Sequence, residues 1–150
     1  MTSYEWKLYF PREHLIGVLK WWESLKSSGE LEKVFHSSLH SLSDFIAHFQ
    51  KIPLLWTTRN GSEFEGCVWW DLLADKPCVG VWVRTRHLPG LMRSVIKLLR
   101  ELATVFGGIL LMTTQSEVEV LCGKLGAEKV GVIPKLSDQH DVSVYFLPRP

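Results

Sequence analysis

The sequence predicts one α/β domain, in which a mixed β-sheet carries helices on both of its faces. At 150 residues the chain has the length of one domain with a sizeable core. Short strand-like runs and amphipathic segments follow one another in the order β-α-α-β-β-β-α-β-α-β-β, which is typical of a layered α/β fold. No internal repeat, low-complexity segment or linker interrupts this order, so we assign residues 1–150 to a single domain.

The first third of the chain predicts a strand and two helical regions. Tyr4 to Phe10 alternates large and polar residues, which indicates a strand, and Pro11 suits the first turn of a helix that ends at Gly29. A second helical region opens most clearly at Ser41, because Asp44 follows three residues later as in a capping box. The apolar residues at helical spacing in the first helix are Leu15, Val18, Leu19, Trp22 and Leu25.

The middle of the chain predicts three strands and a long helix. The runs "LLWTTR" and "EFEGCVWWDLL" flank Asn60-Gly61, a strong hairpin signal, and "CVGVWVRT" is the third strand. The helix that follows ends at Gly107-Gly108. Its apolar face consists of Leu91, Val95, Leu98, Leu99, Leu102 and Phe106.

The last third predicts a buried strand, a short helix and two closing strands. Ile109 to Met112 is wholly apolar, as expected of a central strand. The short helix runs from about Ser116 to Leu125 and ends at Gly126. Strands are predicted at residues 128–133 and 142–147, with the polar segment "KLSDQHD" between them.

Charge and cysteine content exclude several classes of protein. The net charge is +1 and the basic residues are spread along the chain, so we expect neither a nucleic-acid partner nor a membrane surface. The N-terminus has no long apolar run that would make it a signal peptide or an anchor. The three cysteines lack CxxC spacing and one must stay unpaired, which favours a reducing, cytoplasmic location.

The histidines and cysteines raise two further possibilities, a zinc site and a nucleophilic Cys–His pair. His36 and His40 have the i, i+4 spacing of a zinc pair, but no third ligand accompanies them, so no metal site is predicted. A nucleophilic pair of Cys122 with His87 or His140 stays open, although no signature supports it.

The seven tryptophans allow two interpretations. They are either core residues or the lining of a groove and a subunit contact, where tryptophan is enriched. Alternation places Trp69 and Trp70 on opposite faces of their strand, so one faces a helix-covered core and the other an open cleft. The second interpretation predicts a protein partner or a homo-oligomer that uses a tryptophan-rich surface.

The stretch "WVRTRHLPGLMRSVIKLL" joins a strand to a helix through a basic turn that contains Pro and Gly. Helix N-termini offer unpaired N–H groups and a favourable dipole to an anion. Together with the element order, this turn resembles the GNAT superfamily of N-acetyltransferases, in which the pattern Arg/Gln-x-x-Gly-x-Gly/Ala holds the pyrophosphate of acyl-CoA. The later stretch "VLCGKLGAEKV" is similar to a second family segment, with Leu121, Leu125 and Gly126 in matching positions.

The resemblance implies an acetyl-CoA or other acyl-CoA site at this junction. It places the turn on His87 to Met92, with Gly90 as the retained glycine and Arg93 on the first helical turn. The preceding strand would pair with the pantetheine arm. The implied contacts are His87, Gly90, Leu91, Met92 and Arg93 from the turn and helix, Val81 and Val83 from the strand, and Gln115 in place of a family Asn. Arg84, Arg86 and Arg93 are either phosphate ligands or solvated charges.

The departures from the family pattern lie where the chemistry would take place. Met92 replaces a small residue, and Cys122 replaces the Tyr that in many members protonates the departing thiolate. The strand that would carry a catalytic acid has none, which leaves Asp71 as a weak candidate for the base.

Two functions therefore remain. The one that the altered positions favour is a GNAT-fold protein with an eroded acyl-CoA site, which serves as a non-catalytic binding or structural module. By analogy with phage-encoded GNAT-like proteins, it would be a virion or accessory component. The alternative is an active acetyl-CoA-dependent N-acetyltransferase that acts on a small-molecule or protein amine.

Overall fold

A computed structural model describes residues 4–34, 41–58, 63–73, 76–84, 88–113, 116–137 and 140–150. In these ranges the chain forms one mixed sheet with helices on both faces. The elements are β1 (Glu5–Leu8), α1 (Pro11–Ser28), α2 (Leu31–Val34), α3 (Leu42–Lys51), β2 (Leu54–Thr58), β3 (Gly66–Leu73), β4 (Lys76–Val83), α4 (Pro89–Phe106), β5 (Ile109–Thr113), α5 (Ser116–Leu125), β6 (Glu128–Ser137) and β7 (His140–Leu147). Across the sheet the described strands lie in the order β1-β2-β3-β4-β5-β7-β6.

The predicted fold class and element order are confirmed, with two differences in detail. The second helical region contains the short helix α2 as well as α3, and the two closing strands extend into the segment that was predicted as a polar link. β2 and β3 form the predicted antiparallel hairpin, in which Leu54 lies opposite Trp69. The Asn60-Gly61 turn itself lies outside the described residues.

Local signals set the ends of the helices. The Ser41 hydroxyl accepts a hydrogen bond from the Asp44 backbone N–H at 3.1 Å, which confirms the predicted cap of α3. Gly107 ends α4 at φ 71°, a left-handed conformation that glycine adopts without strain. α1 contains one non-helical residue, His14, at φ −115° and ψ 16°, so its first turn is kinked away from the rest of the helix.

Each face of the sheet carries its own hydrophobic core. We call the core under α1 and α3 the α1-side core, and the core under α4 and α5 the α4-side core. Buried members of the α1-side core are Tyr9, Val18, Trp21, Trp22, Leu25, Phe45, Phe49, Leu54, Trp56, Phe64, Cys67, Trp69 and Trp82. Buried members of the α4-side core are Val68, Val79, Val83, Leu91, Val95, Leu98, Leu99, Leu102, Ala103, Ile109, Leu111, Leu121, Cys122, Leu125 and Leu147.

Five of the seven tryptophans are buried in the α1-side core, whereas Trp6 and Trp70 are half-buried and pack against the α4-side core. Trp69 packs in the α1-side core, whereas Trp70 faces the other side of the sheet. Trp70 lies 6.0 Å from Phe106, between ring centroids, so it covers the C-terminal end of α4 and does not line an open cleft. Burial of the large rings stabilises the fold, which favours the core interpretation for the five buried tryptophans. A protein partner or homo-oligomer stays a prediction that these rings do not support.

Candidate functional site

The two central strands β4 and β5 separate partway along their length. Their parallel ladder joins Cys78 to Leu110 and Val79 to Leu111. Beyond Val79, the described residues of β4 are paired with β3 alone, and the end of β5 is paired with β7 alone. We call the gap between Gly80–Val83 and Met112–Thr113 the strand opening. It leaves backbone N–H and C=O groups of an internal strand without a neighbouring strand on one side.

Val81 and Val83 line the β4 side of the strand opening with their backbone. Val83 is buried in the α4-side core, and the half-buried Val81 packs against that core. Their side chains therefore point toward α4, as alternation along a strand requires. The backbone edge that the resemblance assigns to the pantetheine arm is the part of β4 that is not paired with β5.

The start of α4 lies next to this opening. Residues 85–87, including the predicted ligand His87, lie outside the described residues, as does Gln115. Leu88 is the N-cap and makes no side-chain capping bond, so the cap residue covers none of the first N–H groups of α4 with its side chain. A Cβ placed on Gly90 would meet Tyr4 Cε2 at 3.7 Å, an ordinary van der Waals contact. The backbone at Gly90 is therefore uncrowded on this side.

The two residues after Gly90 pack against the same core to different depths. Leu91 is fully buried and Met92 is half-buried, and both belong to or pack against the α4-side core. The Met92 backbone N–H donates to the Leu88 carbonyl at 3.1 Å, the first regular hydrogen bond of the helix. Leu91 thus anchors the turn through its side chain, while Gly90 and Met92 present backbone and a flexible thioether near the opening.

Arg93 belongs to a basic groove on the outer side of α4. The groove has a volume of about 490 Å³ and contains four cationic side chains and one acidic one. Its lining residues are Arg93, Ile96, Lys97, Arg100, Glu101, Thr104 and Lys124. The positive charge close to the start of α4 is suited to an anion.

Arg84 does not share this role. Its Nε and Nη2 atoms donate to the Phe64 carbonyl at 3.1 and 3.0 Å, and Nη1 donates to Ser24 Oγ at 3.0 Å. The guanidinium also lies over the Trp82 ring, 5.4 Å from its centroid. These contacts hold the exposed Arg84 against the Phe64 carbonyl and Ser24, so its charge is engaged within the chain.

Cys122 is poorly suited to the general-acid position. The residue is fully buried in the α4-side core. Burial, together with the charge of Glu119, raises the pKa of the Cys122 thiol to about 11. Transfer of its proton to a departing CoA thiolate would run uphill, because an ordinary thiol has a pKa of about 8.5. The same shift opposes a nucleophilic thiolate.

Asp71, the candidate base from the sequence, lies in the closed part of the sheet. It is opposite Cys78, which belongs to the closed, paired part of β4 and β5. Its side chain is exposed to solvent beside the β3–β4 turn. The strand opening begins only after Val79, so Asp71 lies outside it, and its role as a base stays a prediction.

A carboxylate that sequence reasoning missed lies over the open half of β4. The Trp82 Nε1–H donates to Glu30 Oε2 at 3.0 Å. Glu30 follows Gly29, the left-handed residue that ends α1, and its backbone N–H bonds the Leu25 carbonyl. In the sequence, the only local indication of its position is this helix end. The contact with Trp82 joins residues 52 positions apart, so no local pattern could reveal it. Glu30 therefore places a carboxylate from the α1–α2 connection at Trp82 on the open half of β4.

Two further classes of site were tested in the described part of the chain. Of the His, Cys, Asp and Glu residues in it, no three lie together as a metal site. His36 and His40 lie outside the described residues. Among the helices described, none has the length and apolar character needed to cross a bilayer.

Comparison with known proteins relates this geometry to one fold. No protein-family model matches the chain, and no curated protein matches it in sequence. The ribosomal-protein-S5-alanine acetyltransferase from Vibrio fischeri matches with a TM-score of 0.75 at 10% identity, over 99% of this chain and 94% of that one. Mycobacterium smegmatis RimJ in complex with CoA-disulfide matches with a TM-score of 0.70 at 11% identity, over 97% and 81%.

A third similar structure is AAC(6')-Ib in complex with ribostamycin and coenzyme A. It matches with a TM-score of 0.69 at 14% identity, over 98% of this chain and 94% of that one. Similarity over nearly the whole chain at such low identity establishes the fold alone. The chain has the GNAT acetyltransferase fold, in agreement with the resemblance stated from its sequence.

Proposed function

We propose that this protein binds an acyl-CoA thioester in the strand opening, with the pantetheine arm along β4 and the pyrophosphate at the start of α4. The separation of β4 from β5 after Val79 carries this proposal. Unpaired backbone groups in the centre of a sheet are costly unless a ligand or water satisfies them. An extended chain that contains amides can pair with such an edge as an added strand does.

The anionic end of such a ligand suits the surroundings of α4. The backbone at Gly90 is bare and uncrowded, so a phosphate can approach the first N–H groups of the helix. Arg93 extends from the same turn into the basic groove, which also contains Lys97, Arg100 and Lys124. Positive charge in this groove would attract a ligand that carries several phosphates. RimJ and AAC(6')-Ib, which share the fold, bind CoA-disulfide and coenzyme A respectively.

The residue at the proposed proton-donor position supports a reduced capacity for proton transfer. Cys122 offers a buried thiol with a raised pKa where a proton donor would stand. We therefore propose first a binding module whose acid position is eroded. An active N-acetyltransferase is the second candidate, favoured by the Glu30 carboxylate over the open half of β4. The virion role and the cytoplasmic location remain predictions from the sequence.

Calorimetric titration of the purified chain with acetyl-CoA tests the binding proposal. We expect micromolar affinity for the wild type. Two glycine variants, which serve as a matched pair, should differ from each other in affinity. Gly90→Ala should fold normally, since its Cβ meets only an ordinary contact, but should weaken binding at least tenfold by blocking the phosphate. Gly123→Ala lies in α5 with nothing within 4 Å of its Cβ and should leave affinity unchanged. Equal affinity for both variants would contradict the pyrophosphate position.

The variant Met92→Gly separates an open site from one that is closed by its own side chain. Met92 packs against the α4-side core next to the opening. Binding by the wild type would show that Met92 leaves the site accessible. Binding by Met92→Gly alone would mean that the thioether fills the site in the native protein, which would overturn the proposal for the wild-type chain. No binding by either protein would overturn it entirely.

A further inference from the structure

The basic groove on the outer side of α4 joins cationic side chains from two helices. Arg93, Lys97 and Arg100 belong to α4, and Lys124 lies in the last turn of α5. All four side chains are exposed, and of the described acidic residues none forms an ion pair with any of them. Four cations beside a single carboxylate, that of Glu101, give this concave surface a positive potential, which attracts an anionic partner.

Hydrogen bonds hold this surface together without neutralising it. Arg100 Nη2 donates to the Lys124 carbonyl at 3.5 Å, which links α4 to the end of α5. Arg149 Nε donates to the Thr104 carbonyl at 3.1 Å, which adds a further cation at the far end of the groove. Both acceptors are uncharged carbonyls, so the two guanidinium groups keep their full charge. From Arg93 to Thr104 the helix advances about 16 Å, and the positive surface has at least this length.

Most of the groove lies away from the position proposed for the pyrophosphate. That position is the start of α4 at Pro89, whereas Arg100 lies about 16 Å and Thr104 about 22 Å further along the helix axis. Arg93 is the groove residue of α4 that is nearest to the start of the helix. A ligand that binds the far part of the groove would therefore leave the proposed acyl-CoA site free.

Apolar side chains border the groove on both helices. Ile96 is half-buried in its lining. Val105 is 73% exposed one turn after Glu101 on α4, and Val120 is 61% exposed one turn before Lys124 on α5. Residues four apart share one side of a helix, so each valine lies beside a lining residue of the groove. Exposed valines beside a basic groove favour a partner that carries both carboxylates and apolar side chains.

A peptide fits this arrangement better than a nucleic-acid backbone does. Phosphates follow one another at a fixed spacing along a nucleic acid, and Glu101 among the cations would repel them. The net charge of the whole chain is only +1, which gives little of the general attraction that nonspecific nucleic-acid binding needs. A peptide can place an uncharged side chain opposite Glu101 and carboxylates opposite the cations on either side of it.

We propose that the basic groove binds an acidic, amphipathic segment of a partner protein. The carboxylates of this segment contact the groove cations, and its apolar side chains contact Ile96, Val105 and Val120. Complementary charges on exposed groups speed the encounter and fix the orientation, whereas apolar contacts slow dissociation. This surface is distinct from the tryptophan-rich surface suggested by the sequence, and it does not depend on acyl-CoA binding.

Fluorescence anisotropy of a labelled synthetic peptide tests the groove with a defined probe. In this peptide, pairs of glutamates alternate with single leucines, and both ends are blocked. We expect saturable binding at low ionic strength, which weakens as the salt concentration is raised from about 0.05 M to about 0.5 M. Replacing every glutamate by glutamine should abolish binding, and replacing every leucine by serine should weaken it about fivefold. No saturable binding of the first peptide, or equal binding of all three, would overturn the proposal.

Charge reversal separates the groove from the rest of the surface. Lys97→Glu combined with Lys124→Glu removes one cation from each helix and should weaken peptide binding about tenfold or more. Both side chains are exposed and form no ion pair with a described residue, so the fold should be retained. The matched control, Arg12→Glu with Lys51→Glu, changes the net charge equally on α1 and α3 and should bind as the wild type does. Equal weakening by both double variants would mean that only net charge matters, which would overturn the groove.

Glu101→Gln should give an effect of the opposite sign, which a loss of folding cannot imitate. Its carboxylate is the single acid among the lining residues, so its removal should strengthen binding of the glutamate peptide about threefold. The control Glu23→Gln, at an exposed acid on α1, should leave the affinity unchanged. Weaker or unchanged binding by Glu101→Gln would contradict the position of the peptide in the groove.

Competition and self-association experiments distinguish the peptide from other occupants of the groove. Saturating acetyl-CoA should leave the peptide affinity unchanged, and mutual exclusion would mean that the groove belongs to the acyl-CoA site. A single-stranded oligothymidylate that binds more tightly than the peptide would assign the groove to nucleic acid. Self-association of the wild type in sedimentation velocity, abolished by Lys97→Glu with Lys124→Glu, would assign it to a second copy. Peptide binding without any acetyl-CoA binding would contradict the proposed function alone and support this inference.

Discussion

The two cores of this protein differ in composition, although they pack against opposite faces of one sheet. The buried members of the α4-side core are aliphatic apart from Cys122, and they lie under two helices with regular spacing. Aromatic rings dominate the α1-side core, where Trp21 contacts the rings of Phe45, Phe64 and Trp82 at centroid distances of 5.1 to 5.9 Å. Tilted and edge-on ring pairs of this kind add directional contacts to the burial of area.

This difference indicates how the strand opening is supported. The aromatic core holds β2, β3 and β4, and so fixes one wall of the opening, including Trp82. The other wall, β5, is held by its pairing with β7 and by the aliphatic core. A rigid aromatic wall beside an aliphatic one is suited to a site that must keep its backbone edge free while a ligand enters.

The largest expected effect comes from removing the central ring of the aromatic core. Trp21→Ala should lower the free energy of unfolding by about 4 kcal/mol, and Leu99→Ala in the aliphatic core by about 3 kcal/mol. Both residues are fully buried, so exposure does not explain the difference. Urea unfolding with an unchanged m-value measures both losses. If Trp21→Ala fails to fold, the milder variant Trp21→Phe keeps the comparison measurable. A loss of unfolding free energy at Trp21 that is no larger than the loss at Leu99 would contradict the prediction.

A second test addresses the close packing of Trp69 against β4. A Cβ at Gly80 would overlap the Trp69 indole, and both residues are held by the sheet, so Gly80→Ala should cost about 3 kcal/mol. The double variant Gly80→Ala with Trp69→Phe should lose less than the sum of the two single losses, because the smaller ring makes room for the methyl group. Strict additivity in chemical unfolding would show that the two positions are not in contact.

The same contrast explains how much of the molecule could be predicted from the sequence. The apolar face of α4 was predicted residue by residue, because an uninterrupted helix of 18 residues obeys its 3.6-residue period. In α1 the same reasoning placed Leu15 on the buried face, yet Leu15 is 40% exposed and Trp21 is fully buried. The kink at His14 separates the first turn from the face that the rest of the helix presents.

The candidate site was predictable only where it depends on the local chain. The start of α4 follows from a short turn pattern that contains Pro89 and Gly90, and the helix begins at Pro89. The strand opening beside it could not be predicted, because it depends on where the pairing of β4 with β5 ends. Glu30 and Trp82 are 52 positions apart and meet only because α1 crosses the sheet, so neither spacing nor composition could join them. For the same reason the sequence could not show that Asp71, its candidate base, lies opposite Cys78 in the closed part of β4 and β5.

The smallest expected effects concern two ion pairs that differ in their surroundings. Lys20 Nζ lies 3.7 Å from Glu63 Oε1, and both side chains are exposed. Lys129 Nζ lies 3.7 Å from Glu119 Oε1, and the Glu119 side chain is half-buried. Glu119 additionally accepts a hydrogen bond from the Tyr145 hydroxyl at 3.1 Å. Glu63→Gln should therefore cost no more than about 0.5 kcal/mol at pH 7. Glu119→Gln should cost about 1 kcal/mol, because it also weakens a hydrogen bond to a charged group.

The pH dependence of the Glu119 variant distinguishes the hydrogen bonds from a general loss of packing. Hydrogen bonds from Ser143 and Tyr145 lower the pKa of the Glu119 carboxyl below its ordinary value. A lowered folded-state pKa stabilises the protein at pH values above the ordinary Glu pKa of about 4.3, and this contribution is lost as the pH falls through the folded value. The difference in free energy of unfolding between wild type and Glu119→Gln should therefore shrink as the pH falls from 5 to 3. The decrease should be about as large as the contribution that the carboxylate charge makes to stability at higher pH. A difference that stays constant over this range would assign the loss to side-chain packing on β7 and not to the carboxylate.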